Sequence, residues 1–180
     1  GYFSVKQDSD GTVRWMPLVV ASGDELFPPL SVLAAWHYLD RPPLMVRVGP
    51  YGVEGVQLGE TLVPTDESGR LLVNYLGPPG TFPQVSISDV LAGRVPAGTF
   101  RDKIVLVGAT ATGIYDMRTT PFGPVHPGVE IHASVMDNLI SRRFIARPGW
   151  SETYDVFAIV VLSIVAGLGL WQLSPLPSVL

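Results

Sequence analysis

Five polar side chains follow one apolar run. Lys103-Ile104-Val105-Leu106-Val107 opens into Gly108-Ala109-Thr110-Ala111-Thr112-Gly113, and Asp116, Thr119 and Thr120 come soon after. A buried strand running into small residues is the usual entrance to a nucleotide site. A phosphate cradle also needs glycines where the backbone meets the ligand, a helix directly after, and often a Lys. Here the two glycines are spaced G-x-x-x-x-G, but Ile114 and Tyr115 stand where the Lys and the Ser/Thr belong. The spacing G-x-G-x-x-G fails as well. The stretch Asp116 to Gly123 carries Pro and Gly rather than a helix pattern. These departures argue against nucleotide. Thr110, Thr112, Asp116, Thr119 and Thr120 remain candidates for a small-molecule pocket, because ligands of open α/β sheets gather at the carboxyl edge of the strands. The alternative is plainer: Thr and Asp side chains satisfying backbone groups of an irregular loop.

A second group invites a metal reading, since His126, Glu130 and His132 are close in sequence. Helical geometry argues against a shared ion. Counting about 100° per residue from Ile131, the apolar side chains Val135, Leu139, Met136 and Ile140 span an arc to about 180°. His132 falls inside that arc at about 100°, and Glu130 at about 260°, on the polar side. His132 then reads as a core histidine, and Glu130 as a first-turn acid favoured by the helix dipole. Asp8-Ser9-Asp10-Gly11 matches half of a calcium loop, but the other ligands and the distal Glu are missing, so it reads as a turn. No G-x-S-x-G elbow, paired-carboxylate signature or Cys nucleophile is present, and no cofactor is implied.

The elements that must carry these residues follow from periodicity and breakers. The run Val13 to Val20 reads as a strand. Pro28-Pro29 opens a helix over Leu30 to Leu39, with Leu30, Leu33, Ala34 and His37 on one stripe, and Pro42-Pro43 ends it. Short strands are predicted over Leu44–Val48, Gly55–Leu58, Thr61–Val63 and Arg70–Tyr75, with residues 65–69 as a hairpin loop. Gly77-Pro78-Pro79-Gly80 is a loop, and Ser88 can cap a short helix ending near Gly93. Lys103 to Val107, continuously apolar after its first residue, predicts a central strand of a parallel sheet. A long loop, Gly108 to Pro127, leads to a helix over Val129 to Ile140. The predicted fold class is therefore α/β, a sheet with a central parallel strand flanked by helices, followed by one transmembrane helix.

At 180 residues the chain suffices for one ordinary domain with a sizeable core. Its net charge of −4 and scattered basic residues argue against nucleic acid. The absence of Cys removes disulfides and thiolate metal sites. The apolar excess is concentrated near the end: Val156 to Leu173 holds eighteen residues without a charge, about the length that crosses a bilayer core. Trp150 and Tyr154 at one boundary and Trp171 at the other fit the interfaces. Residues 174–180 then read as the start of a turn between spans. Arg142, Arg143 and Arg147 precede the span and, on their own, would place residues 1–150 in the cytoplasm. Without an initiator Met or a signal-like head, the chain reads as a fragment, incomplete at its amino end.

Taken in order, several stretches resemble the CHASE type-two family, extracytoplasmic sensory domains of bacterial transmembrane receptors. They are "DSDGTVRWMPL" (Asp8 to Leu18), "LLVNYLGP" (Leu71 to Pro78), "ISDVLAG" (Ile87 to Gly93), "FRDKIVLVGATATGIYDMRTTPFG" (Phe100 to Gly123) and "HPGVEIHASVMDNLIS" (His126 to Ser141). The resemblance implies an earlier α/β half and membrane helix, later membrane helices, and a cytoplasmic output domain. It also implies that residues 1–150 are periplasmic or extracellular, against the arginine argument. The implied function is a sensor that relays a stimulus through the membrane helix to a cyclase, kinase or diguanylate cyclase. Its expected partners are the membrane, an unidentified small-molecule ligand and a second copy in a homodimer. The competing reading is a dimerisation or scaffold domain that senses nothing.

Overall fold

A computed structural model describes residues 2–50, 52–110, 116–146 and 150–172. The chain divides into two compact units, Gly1–Ala146 and Arg147–Leu180. Among its described residues the first unit carries nine short strands and three helices. In chain order these are β1 (Trp15–Pro17), β2 (Val20–Ser22), β3 (Glu25–Phe27), α1 (Leu30–Tyr38), β4 (Leu44–Gly49), β5 (Gly52–Leu58), β6 (Thr61–Pro64), β7 (Arg70–Leu72), α2 (Ile87–Leu91), β8 (Met117–Thr120), β9 (Gly123–Pro127) and α3 (Gly128–Ser141). The described residues of the second unit form one helix, α4 (Trp150–Gln172).

The predicted parallel sheet is not what forms. Every strand pair among the described residues is antiparallel: β1 with β7, β2 with β3, β4–β5–β6, and β8 with β9. Parallel pairing is confined to isolated bridges, Tyr2 with Pro29 and Thr12 with Thr119. The fold is thus mixed α/β with small antiparallel sheets, followed by one apolar helix. The run that was to be the central strand, Lys103 to Val107, takes no strand structure. Leu106 packs on the core and Gly108 lies so close to α3 that an added Cβ would sit 2.6 Å from the Cβ of Val129. Val105 and Val107 face outward, Val107 at 84% exposure. An apolar run satisfies its side chains on a helix face as readily as in a sheet, and periodicity alone does not choose.

Two other expectations change. The loop 65–69 does not join a hairpin: β6 pairs back on β5, while β7 crosses to β1. Asp66 builds that turn, accepting the N–H groups of Ser68 and Arg70. The long loop before α3 contains the hairpin β8–β9, closed by Thr120-Pro121-Phe122-Gly123, with Pro at the second turn position and Gly at the fourth. In α1 the buried face is Ser31, Val32 and Ala35, nearly opposite the predicted stripe. His37 is exposed, and its Nδ1 accepts from the Nε of Arg41 at 3.1 Å. A helix apolar on most sides does not reveal which stripe will be covered.

The core gathers Val13, Met16 and Leu18 around β1, Val56, Leu58 and Val63 from the three-stranded sheet, Leu71 of β7, Val32 and Ala35 of α1, and Ile131, Val135, Met136 and Leu139 of α3. Nine of the fourteen residues of α3 are buried, so this helix is covered on most sides. One of them, Asn138, acts as a surrogate strand partner. Its Oδ1 accepts the Asn74 N–H at 2.9 Å and its Nδ2 donates to the Asn74 carbonyl at 2.8 Å. A further strut runs from the Tyr75 hydroxyl to the Val13 carbonyl, 2.9 Å. The chain after β7 is thereby tied to α3 and to the segment before β1.

Because Asn138 is fully buried, Asn138→Ala strands two backbone groups away from water. That change is expected to cost about 2–4 kcal/mol in chemical unfolding followed by tryptophan fluorescence. Asp137→Ala, which breaks the 2.7 Å surface pair with Arg143 and the 3.3 Å bond from the Ser141 hydroxyl, is expected to cost at most about 1 kcal/mol.

Candidate functional site

The hairpin β8–β9 feeds directly into α3, and the polar groups of that corner meet a loop from far earlier in the chain. The sequence Pro78-Pro79-Gly80-Thr81 makes a tight turn in which the Thr81 N–H and hydroxyl both bond to the Pro78 carbonyl. Pro79 presets the second position, and Gly80, at φ 85°, takes a conformation that costs a side-chain-bearing residue energy. The turn aims the Gly80 N–H at Glu130, reaching its two carboxylate oxygens at 3.1 and 3.0 Å. Gln84 Nε2 donates to the same carboxylate at 2.6 Å. Glu130 is only 4% exposed, although the loop that covers it faces solvent.

Behind Glu130 lies His126, 1% exposed, with Nε2 3.9 Å from the nearer carboxylate oxygen and without a hydrogen-bond partner. Its Nδ1 makes a long 3.4 Å contact with the Thr120 hydroxyl, which also accepts the Phe122 N–H at 3.3 Å. With that N–H occupying one Thr120 lone pair, the hydroxyl can still donate to Nδ1, and in the tautomer where it does so the ring proton is on Nε2, toward Glu130. Tyr75 packs edge-on against the ring at 5.6 Å. Burial pushes the His126 pKa down, and the Glu130 charge only partly offsets this. Burial likewise holds the Tyr75 hydroxyl proton far above the ordinary phenol range.

Of the five candidates from sequence, the four described ones are dispersed. Thr110 is exposed, in a segment without regular structure, and Thr112 lies outside the described residues. Asp116 is half-buried, with its carboxylate against the Gly128 α-carbon and 3.5 Å from the Arg118 guanidinium; its carbonyl accepts the Gly128 N–H at 2.8 Å. Thr119 bridges to Thr12, its carbonyl accepting the Val13 N–H at 2.8 Å. Thr120 alone reaches the buried cluster. None of the four described candidates lines the apolar cleft of about 170 Å³ formed by Leu18, Val19, Leu26, Leu44, Val46 and Val56, among others.

Glu130 and His132 point to different partners: His132 Nε2 contacts the Phe3 carbonyl at 2.9 Å. Among the described residues no three His, Cys, Asp or Glu side chains converge as a metal site. The carboxylates of Asp8 and Asp10 are both taken by Arg14, at 3.1 and 2.8 Å. Sequence reasoning placed Glu130 on a polar face and missed Gly80 and Gln84 as its partners. The i, i+4 spacing of His126 and Glu130 across the start of α3 was the available signal.

The profile of the CHASE2 domain matches residues 1–168. The chain belongs to the CHASE2 family. No curated protein and no solved structure matches it. CHASE2 domains are extracellular sensory domains of membrane signalling proteins, and as modules they are non-catalytic. Among the described residues of this CHASE2 chain one helix is long and apolar enough to cross a membrane, Thr153–Leu170, following the mixed α/β unit in sequence.

The lowered His126 pKa sets a pH dependence. Above the unfolded value of about 6.5, folded and unfolded chains are both neutral at this residue. As pH falls below it, the unfolded chain takes up a proton that the folded one resists, so stability is lost toward acid. The melting temperature is expected to fall between about pH 6.5 and 5, and His126→Gln is expected to flatten that part of the curve. A parallel fall in the variant would count against it.

Proposed function

We propose that this chain is the sensory module of a bacterial membrane receptor, and that α4 relays its state across the bilayer to a cytoplasmic output domain. A cyclase, histidine kinase or diguanylate cyclase is the output class we favour. The observation that carries this reading is a CHASE2 match over residues 1–168 that ends in a helix of membrane-spanning length, uncharged from Val156 onward. A stimulus acts by preferring one of two packings of the sensor, since only differential contacts shift such an equilibrium. We assign residues 1–150 to the outside of the cell and 156–173 to the membrane, with 174–180 beginning a turn.

We further propose that the module works as a homodimer. Supporting this is a surface arm that shows Val85, Ile87, Leu91, Phe100, Val105 and Val107 to solvent, Leu91 at 82% exposure. Apolar exposure on that scale marks interaction surfaces. The small-molecule reading of Thr110, Thr112, Asp116, Thr119 and Thr120 rests on their place just before and within the hairpin that leads into α3.

Each part has its own measurement. The chain has no Cys, so Ser68→Cys, at an exposed turn, gives a single labelling site. An impermeant maleimide is expected to label it in intact cells; labelling only after lysis would overturn the topology. Leu91→Asp with Val107→Asp is expected to convert a dimer to a monomer by light scattering in detergent. In a thermal-shift screen of small acids, sugars and ions, saturable stabilisation is expected to vanish in Asp116→Ala and Thr120→Ala. Stabilisation that survives both would remove the pocket, and the absence of any hit would favour a scaffold.

A further inference from the structure

The cluster around Glu130 has the parts of a switch. An exposed loop, residues 77–84, covers a buried carboxylate and holds it through the Gly80 N–H and the Gln84 amide. Asn74 is clamped to Asn138 just before that loop, while the exposed apolar arm begins at Val85 just after it. On the other side of the carboxylate, the buried imidazole of His126 waits 3.9 Å away with an unused Nε2. That gap is too long for a hydrogen bond and short enough to close with a side-chain rotation.

We propose that Glu130 and His126 form an acid-triggered latch in which protonation of His126 draws the Glu130 carboxylate away from Gly80 and Gln84 and frees the 77–84 loop. One proton, taken from solvent, adds to the unprotonated nitrogen of the neutral ring. The resulting imidazolium is out of water and requires an anion. Glu130 is the carboxylate that meets this need. Of the other groups facing the ring, Tyr75 presents an aromatic edge and Thr120 a hydroxyl. Arg118, opposite His126 across β8–β9, is engaged at 3.5 Å with Asp116, whose carboxylate lies against Gly128. Asp8 acts on the Tyr75 hydroxyl end, where that hydroxyl bonds to the Val13 carbonyl. The loop carries no charge of its own between Gly77 and Gln84, so it has nothing to offer in exchange once the carboxylate turns. Because the loop is solvent-exposed on its outer side, its release opens no large core cavity. What it frees is the root of the apolar arm.

The latch deepens the sensor reading, for which it would supply a proton as the stimulus, and it rests on that reading for its use. Its existence is tested without any signalling output, so the two fail separately. The measurement is hydrogen exchange of the 76–86 peptide in the full chain in detergent, corrected for intrinsic pH dependence, from pH 7.5 to 5. Protection of that peptide is expected to drop about tenfold or more on acidification, while the α3 peptide around Val135 keeps its protection. In His126→Gln and in Glu130→Gln the drop is expected to disappear. As a check that needs no variant to fold, the Gly80 amide shift and the His126 ring proton are expected to titrate with one midpoint in the wild-type chain. A drop that persists in His126→Gln, a peptide indifferent to pH in the wild type, or two separate midpoints would each overturn the latch.

Discussion

The corner of this fold is governed by one carboxylate kept out of water. A buried charge is tolerated only where it is hydrogen-bonded, and Glu130 obtains its bonds from a loop some fifty residues earlier rather than from its own helix. That requirement explains the turn. Only a glycine following a proline both takes φ near 85° and points its N–H outward at the acid. It also explains the neutral histidine beside the acid, since a ring sealed by Tyr75 and Thr120 disfavours its charged form. Replacing Glu130 by an apolar residue would release the loop, and replacing the loop glycine would strand the acid.

The same helix uses Asn138, two turns on, to hold the chain at Asn74. A separation of eight residues is about 12 Å along the axis, and both side chains grip one continuous stretch of backbone, residues 74–84. Here α3 does the work that a neighbouring strand does in a sheet: it satisfies extended backbone by side-chain amide and carboxylate. This is how the segment runs over a helix without joining a ladder. It also leaves the arm beyond Gln84 with few ties until Leu106 and Gly108 touch down again on the core and α3.

How much of this was legible in the sequence depended on the range of the interaction that decides each part. The helices α1 and α3 are bounded by Pro-Pro pairs and by an apolar repeat, both local, and they emerge within a residue or two of expectation. The hairpins of β4–β6 also follow from neighbouring residues. The run Lys103–Val107 misled because its composition states that it is buried or paired without saying by what. Residues 65–69 misled because a turn signal shows that the chain reverses, and not which strand it then joins. At the site, the helical wheel of α3 put His132 and Glu130 on opposing directions, and they do meet different partners. The wheel gave Glu130 to solvent because it cannot see a loop arriving from elsewhere. Pro78-Pro79-Gly80 was visible as a turn; that its N–H would cap a buried acid was not encoded locally.

The placement of these features along one helix constrains how a sensor of this kind could work. Glu130 lies in the first turn of α3, and the helix stops at Ser141, where Arg142 takes a left-handed conformation at φ 54° and Arg143 donates its N–H back to the Asn138 carbonyl. A non-glycine residue in that region costs on the order of 1 kcal/mol, so the stop is held by the helix end and by the Arg143–Asp137 pair rather than by intrinsic preference. The two ends of α3 are thus of different character, one depending on a titratable contact and the other fixed by backbone bonding. A perturbation that begins at Glu130 meets the densely packed face of Ile131, Val135 and Leu139 before it reaches that stop. Packed interiors shift between discrete arrangements and do not deform continuously. A change at the corner would therefore reach the segment before α4 as a shift of α3 as a unit, or be absorbed in the loop and arm and not reach it.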